Sequence, residues 1–134
     1  MTPSALARLT AVELLERGGT LLVLQTAASA VEPILCISTD ESIIGFCGHV
    51  DLGTGIRTAL AQIVAEELDL VADRVEMVLG DTARAPDQGA TIASNSIQKA
   101  AVPLRSAAAQ AHAALLELAA ARLETHTEIG RAHV

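Results

Sequence analysis

GHVDLGTGIRTALAQIVAEELDL, residues Gly48 to Leu70, is the stretch from which the rest of the chain can be read. It leaves an apolar strand, turns through Gly53-Thr54-Gly55 and enters a helix whose apolar residues Ile56, Leu60, Ile63, Val64 and Leu68 fall on one face. A strand that turns through two glycines onto a helix leaves backbone N–H groups without intrahelical partners, at the positive end of the helix dipole. Such a turn is a place to hold an anion. Thr54 stands where its hydroxyl can cap the helix or reach a ligand, and the glycines beside it let a ligand approach the backbone. The plain alternative is a well-made helix start, because short glycine motifs arise often by chance.

Upstream, residues 34 to 50 read as a hairpin with Asp40-Glu41 at its turn. That pairing sets Thr39 opposite Ser42, Cys36 opposite Gly45 and Cys47 opposite Ile34. Leu35, Ile37, Ile44 and Phe46 then share one face, and Ile34, Cys36, Ile43 and Cys47 the other. Both faces are apolar, so the pair is expected to be covered on both sides. Cys36 and Cys47 become diagonal neighbours, too far apart for easy disulfide geometry, and free buried thiols are expected. Before the hairpin, residues 4 to 17 carry apolar residues at helical spacing and stop at Gly18-Gly19. Thr20 to Leu24 reads as a strand and Gln25 to Pro33 as a linker, so residues 1 to 33 precede the main unit at 34 to 127.

Downstream, Arg74 to Leu79 alternates Val75, Met77 and Leu79 inward, which predicts a strand beside the hairpin. Gly80 to Asn95 has no period and is rich in turn residues. Loops of this length inside a compact unit are usually functional or disordered. This one leads to Thr91, Ser94 and Ser96, any of which can cap the alanine-rich helix that runs from Ile97 to about Leu123. That helix offers Leu104, Ala108, Leu115, Leu118 and Leu123 for one face, and Pro103 is expected to kink or restart it. His112 is given no role. The fold class is α+β: a small sheet made of the hairpin and a further strand, covered by two helices.

The chain has 134 residues, enough for one ordinary domain. It has one Phe, no Tyr and no Trp, so its core is aliphatic and base stacking is not available to it. A net charge of −7 argues in the same direction, against nucleic acid and against an anionic membrane surface. No apolar run is long enough to span a membrane and no secretion signal is present, which reads as a soluble, cytoplasmic chain. The four histidines show no spacing with Cys, Asp or Glu that marks a metal site, and no metal ligand is expected from the protein. The last seven residues, EIGRAHV from Glu128 to Val134, back-translate into the constant adapter used in short-read sequencing libraries. The expectation is a reading frame running off a genomic fragment, with residues 128 to 134 outside any fold.

The two helix entrances taken together are more specific than either alone. GHVDLGTGIRTALAQIVAEELDL followed by GDTARAPDQGATIASNSIQ (Gly80 to Gln98) resembles the molybdopterin-binding subunit of the xanthine dehydrogenase and aldehyde oxidase family, and most of all its nicotinate dehydrogenase and isoquinoline oxidoreductase branch. The resemblance covers roughly residues 34 to 124. It implies part of a molybdopterin-binding domain in an oxidoreductase that hydroxylates an N-heteroaromatic or an aldehyde with oxygen taken from water. It also implies molybdenum held by the pterin, here as the cytosine dinucleotide, and iron–sulfur clusters on a partner subunit. Carried over by position, Leu52, Gly53, Thr54 and Gly55 form the first cofactor contact, and Ala93, Ser94, Asn95 and Ser96 the second. The phosphates of the cofactor tail would suit the helix entrances.

Many relatives carry Gln where this chain has Thr54, whose shorter side chain does not reach as far towards the metal. The family's catalytic glutamate lies near the far end of the subunit, beyond the matched region. Glu66 and Glu67 read as solvated charges and no catalytic residue is assigned. The resemblance therefore implies an inactive piece of an enzyme subunit. Two other readings stay open: a small α/β domain that binds a phosphate-bearing ligand without chemistry, and an interaction module in which the glycine turn is structural.

Overall fold

Helix α1 (Ile56–Glu67) connects two parallel strands, as such a pair requires, since parallel neighbours cannot be joined by a tight turn. These strands are β3 (Ile43–Cys47) and β4 (Val75–Leu79). Two more, β1 (Thr20–Ala27) and β2 (Ala30–Ser38), complete a four-stranded mixed sheet in the order β1-β2-β3-β4, antiparallel except for its last pair. The computed structural model describes residues 6–8, 10, 13, 20–27 and 30–124. Helix α2 (Val102–Leu123) lies beside α1 on the same face of the sheet.

The core forms where the two helices meet that face. Leu35, Ile43, Cys47, Val75 and Met77 from the strands pack against Leu60 and Val64 of α1 and against Leu104, Ala108 and Ala111 of α2. Ile63 is partly buried at the edge of this cluster, so the apolar stripe read from the sequence is the stripe that packs. The opposite face is also covered: Cys36, Ile44, Phe46 and Val78 are buried together with Ala7, which lies in a 3₁₀ turn at Leu6–Arg8. The Arg84 guanidinium ties that turn down by donating to the Ala7 carbonyl and to Asp81.

The hairpin register differs from the expected one by a residue. Glu41 N–H donates to the Ser38 carbonyl and Ser38 N–H to that of Ser42, with Glu41 at a left-handed φ of 67°. The loop thus takes three residues, Thr39-Asp40-Glu41, rather than the two expected. Leu35 pairs with Gly45, Cys36 with Ile44 and Ile37 with Ile43. A slip of one residue exchanges faces across the pair. Leu35 therefore shares the helix-covered face with Ile43 and Cys47, while Cys36 sits with Ile44 and Phe46 on the other. The two free, buried thiols are on opposite faces, not diagonal neighbours on one.

Gln25 to Ala27 and Ala30 to Pro33 are strand rather than linker. The ladder of β1 and β2 continues through Gln25 opposite Glu32, whose side chains also bond at 3.1 Å. Pro33 is tolerated because β3 pairs only with Leu35 to Ile37, and because the ladder shifts register between Val23 and Leu24, opposite it. Of the helix expected over 4 to 17, only the turn at Leu6–Arg8 and a few single positions fall within the described residues. Residues 128 to 134 lie outside them.

A π-helical turn at Ile97–Ala101 precedes α2, and Pro103 stands at the start of that helix, so the restart expected at the proline is present. The expected apolar face of α2 holds only in its first half. Leu104, Ala107, Ala108 and Ala111 are buried, but Leu115, Leu118 and Leu123 are 38%, 60% and 73% exposed.

Candidate cofactor-binding site

The entrance to α1 is organised by Asp51. Its Oδ1 accepts from the N–H groups of Gly53, Thr54 and Gly55 at 2.9, 3.0 and 3.3 Å, and its Oδ2 from Arg57 N–H at 3.1 Å. The Arg57 donation foremost, with those of Gly53, Gly55 and Thr54, holds the Asp51 carboxyl below the usual carboxylate range. The turn can close on Asp51 because Gly53 and Gly55 adopt φ of 87° and 79°. The place expected to hold a ligand's anion is thus filled by the chain's own carboxylate. Nor does the Thr54 hydroxyl cap the helix. Asp51 escaped the sequence reading because it sits five positions before the first helical residue and not in the adjacent capping position.

The second segment crosses the end of β3 and is bonded to it residue by residue. Gly48 N–H donates to Gln88 Oε1 at 2.8 Å and Val50 N–H to Thr91 Oγ1 at 3.0 Å. Between them the fully buried His49 ring has Nδ1 2.7 Å from Ser96 Oγ and Nε2 3.2 Å from the Gln88 carbonyl. Ser96 stands at the start of the π turn but spends its hydroxyl on His49 and does not cap the helix. His49 went unassigned from sequence, where a lone histidine after a strand carries no pattern. Further along, Ala93 and Ser94 both take left-handed φ, 52° and 53°, in a tight turn closed by Asn95 N–H onto the Ile92 carbonyl at 3.2 Å. Two consecutive non-glycine residues in that region store strain, a feature found more often at binding sites than elsewhere.

These links bring the two segments onto one open cavity of about 400 Å³. Val50, Leu52, Thr54, Gly55, Ile56 and Ala59 line one side, and Thr91, Ile92, Ala93, Ser94, Ser96 and Ile97 the other. Six of the eight residues expected at the site are therefore in its walls. Gly53, whose N–H is taken by Asp51, and Asn95 are not. Asn95 Oδ1 is buried without a hydrogen-bond partner. No lining residue is titratable, so the cavity can bind and orient but offers no acid or base of its own. Glu66 is exposed, and Glu67 is engaged with Arg105 at 2.6 Å. Among the described residues no three His, Cys, Asp or Glu side chains converge as metal ligands, and no helix is long and apolar enough to cross a membrane.

A family described as the molybdopterin cofactor-binding domain matches residues 16–133. A nicotinate dehydrogenase subunit of Pseudomonas putida is 63% identical over 97 residues, which make up 72% of this chain and 8% of that protein. A probable xanthine dehydrogenase subunit of Bacillus subtilis is 40% identical over 60 residues, 45% of this chain and 8% of that one. Among solved structures, reconstituted CO dehydrogenase from Oligotropha carboxidovorans superimposes with a TM-score of 0.65 at 25% identity, covering 87% of this chain and 17% of that chain. The chain spans less than a fifth of the length of each of these proteins.

Proposed function

Because the chain belongs to the molybdopterin cofactor-binding domain family, we propose that it forms one part of the cofactor cavity in the large subunit of a molybdenum hydroxylase. The observation that carries this reading is the single cavity shared by the two segments, which lie about forty residues apart in sequence. Leu52, Thr54 and Gly55 hold the cofactor from one side and Ala93, Ser94 and Ser96 from the other, with Gly53 and Asn95 shaping the turns behind them. The fit is chemical as well as positional. Leu52, Ile56, Ile92 and Ile97 give apolar walls for a flat heterocycle, and the hydroxyls of Thr54, Thr91, Ser94 and Ser96 give polar partners for its edge.

When bound, the cofactor, taken here as the cytosine dinucleotide, supplies a molybdenum centre that adds a water-derived oxygen to carbon of an N-heteroaromatic or an aldehyde. This chain's residues bind and orient it, and exclude water from one side. They supply no base, since the cavity has no titratable lining and Glu67 is paired with Arg105. Electrons leave through iron–sulfur clusters on a partner subunit, in the cytoplasm. The identity to the nicotinate dehydrogenase of Pseudomonas putida favours a nicotinate-like substrate. A phosphate-binding domain without chemistry has no observation in its favour, because Asp51 occupies the donors a phosphate would use.

Expression of residues 1 to 127 with cofactor biosynthesis supplied is expected to give little molybdenum by elemental analysis and no hydroxylation of nicotinate with an artificial electron acceptor. Stoichiometric molybdenum with turnover would overturn the reading as one part of a larger cavity. The complete subunit encoded by the continued reading frame, produced with its iron–sulfur partner, is expected to carry one molybdenum per chain. A metal-free complete subunit would sink the assignment. A genomic locus encoding EIGRAHV and then a stop would remove the adapter reading of residues 128 to 134.

A further inference from the structure

We propose that His49 is a positioning residue that fixes Ser96 as a hydrogen-bond acceptor towards the cavity, so that this wall receives an N–H-bearing heterocycle and not a phosphate. The inference deepens, and rests on, the reading of the cavity as a cofactor site. The Gln88 carbonyl oxygen can only accept a hydrogen bond. The His49 Nε2, 3.2 Å from that oxygen, therefore carries the proton. In the neutral ring Nδ1 is left with a lone pair alone, so at 2.7 Å it accepts from the Ser96 hydroxyl. Ser96 has one proton and has committed it. Towards the cavity it lines, only its lone pairs remain.

The surroundings point the same way. The N–H groups of Gly53, Thr54, Gly55 and Arg57 are turned to Asp51, and no Lys or Arg lines the cavity. Thr54, Thr91 and Ser94 keep hydroxyl protons, but uncharged hydroxyls without a cation are weak partners for a dianion. A pterin or nucleobase edge offers the donors that the Ser96 lone pairs can take. Phosphate at neutral pH offers mainly acceptors, and a carboxylate already stands at the α1 entrance to repel it.

The test uses the 134-residue chain, labelled with ¹⁵N, at pH 8. Long-range ¹H–¹⁵N correlation reads the tautomer of each histidine, and the His49 signals are those missing from His49→Gln. The expected pattern is protonated Nε2 with unprotonated Nδ1, and the reverse tautomer overturns the proposal. His49→Gln offers an amide donor to Gln88 and an oxygen to Ser96, whereas His49→Leu offers neither. Amide exchange across residues 88 to 96 is expected to stay near wild type in His49→Gln and to rise roughly tenfold in His49→Leu, the scale set by losing one or two hydrogen bonds. Equal acceleration in both variants overturns the positioning role. If His49→Leu does not fold, the tautomer and the His49→Gln comparison with wild type still decide. Titration with a free pterin is expected to shift the amides of Thr54 and Ser96, and inorganic phosphate at equal concentration to leave them unmoved; saturable phosphate binding there overturns the proposal. A chain with the expected tautomer that ignores both probes upholds the hydrogen-bond polarity and counts against the cofactor reading instead.

Discussion

The backbone N–H of Gly48 donates to the Oε1 of Gln88 at 2.8 Å, joining the end of β3 to a loop forty residues further on. The loop backbone runs so close that a Cβ on Gly48 would stand 2.1 Å from the Pro86 carbonyl oxygen and 3.0 Å from Gln88 N. Neither neighbour is a flexible side chain that can swing away. Gly48→Ala is therefore expected to displace residues 86 to 88 and destabilise the chain by about 2 kcal/mol, within the range for overpacked sites. Urea unfolding measures this, and an unchanged midpoint would show that the loop has more freedom than the bonds to Gly48, His49 and Val50 allow.

Asp51 links stability to pH. Its carboxyl is held below the ordinary value of 3.8 in the folded chain, by the Arg57 N–H foremost. A depressed folded value means that the unfolded chain takes up the proton first. The stabilisation is present above pH 3.8 and is lost as pH falls below it through the folded value. Thermal midpoints between pH 5 and pH 2.5 should fall less steeply in Asp51→Asn, which keeps one accepting oxygen but cannot be protonated. Parallel slopes for the two proteins would mean that the carboxylate is not what closes the glycine turn.

The thiols give a test of register. Burial first, and the charge of Asp40 second, push the Cys36 thiol up to about 11, and burial also raises that of Cys47. Little thiolate exists at pH 8 and the two sulfurs face opposite sides of the sheet. An aromatic disulfide reagent should find no reactive thiol in the folded chain and both in denaturant, and air should form no internal bridge. A Cys36–Cys47 disulfide in folded protein would require both sulfurs on one face of the sheet and refute the observed pairing.

The parts legible in the sequence are those whose signal is periodic. Ile56, Leu60, Val64 and Leu68 announced α1, and the alternation of Val75, Met77 and Leu79 announced β4. The meeting of the two segments was legible too, because both read as helix entrances with small or hydroxyl residues. What escaped depends on single residues with no period. Glu41 in a left-handed conformation lengthened the hairpin loop and shifted its register. Gln25 to Pro33 read as a linker because its residues are small and polar, and its pairing becomes evident only with the partner strand beside it. Asp51 and His49 act through backbone groups and a serine brought near only by folding, so neither left a local pattern.

Helix α2 supplies the last test, because its alanine-rich sequence offers leucines along its whole length and the sheet covers only the first half. Leu104 is 1% exposed and touches the sheet-covered core, whereas Leu118 is 60% exposed. Leu104→Ala should cost about 3 kcal/mol, the transfer of the lost methyl groups plus the cavity left behind. Leu118→Ser removes little buried area within this chain and should change stability by no more than about 0.5 kcal/mol. The comparison by urea unfolding under one set of conditions is direct, since both substitutions are on the same helix and each alters one leucine. A loss at Leu118 as large as that at Leu104 would mean that the far half of α2 folds back onto the sheet or onto another copy of the chain. Repeating the measurement over a hundredfold range of protein concentration separates those two cases, because only self-association makes the midpoint concentration-dependent.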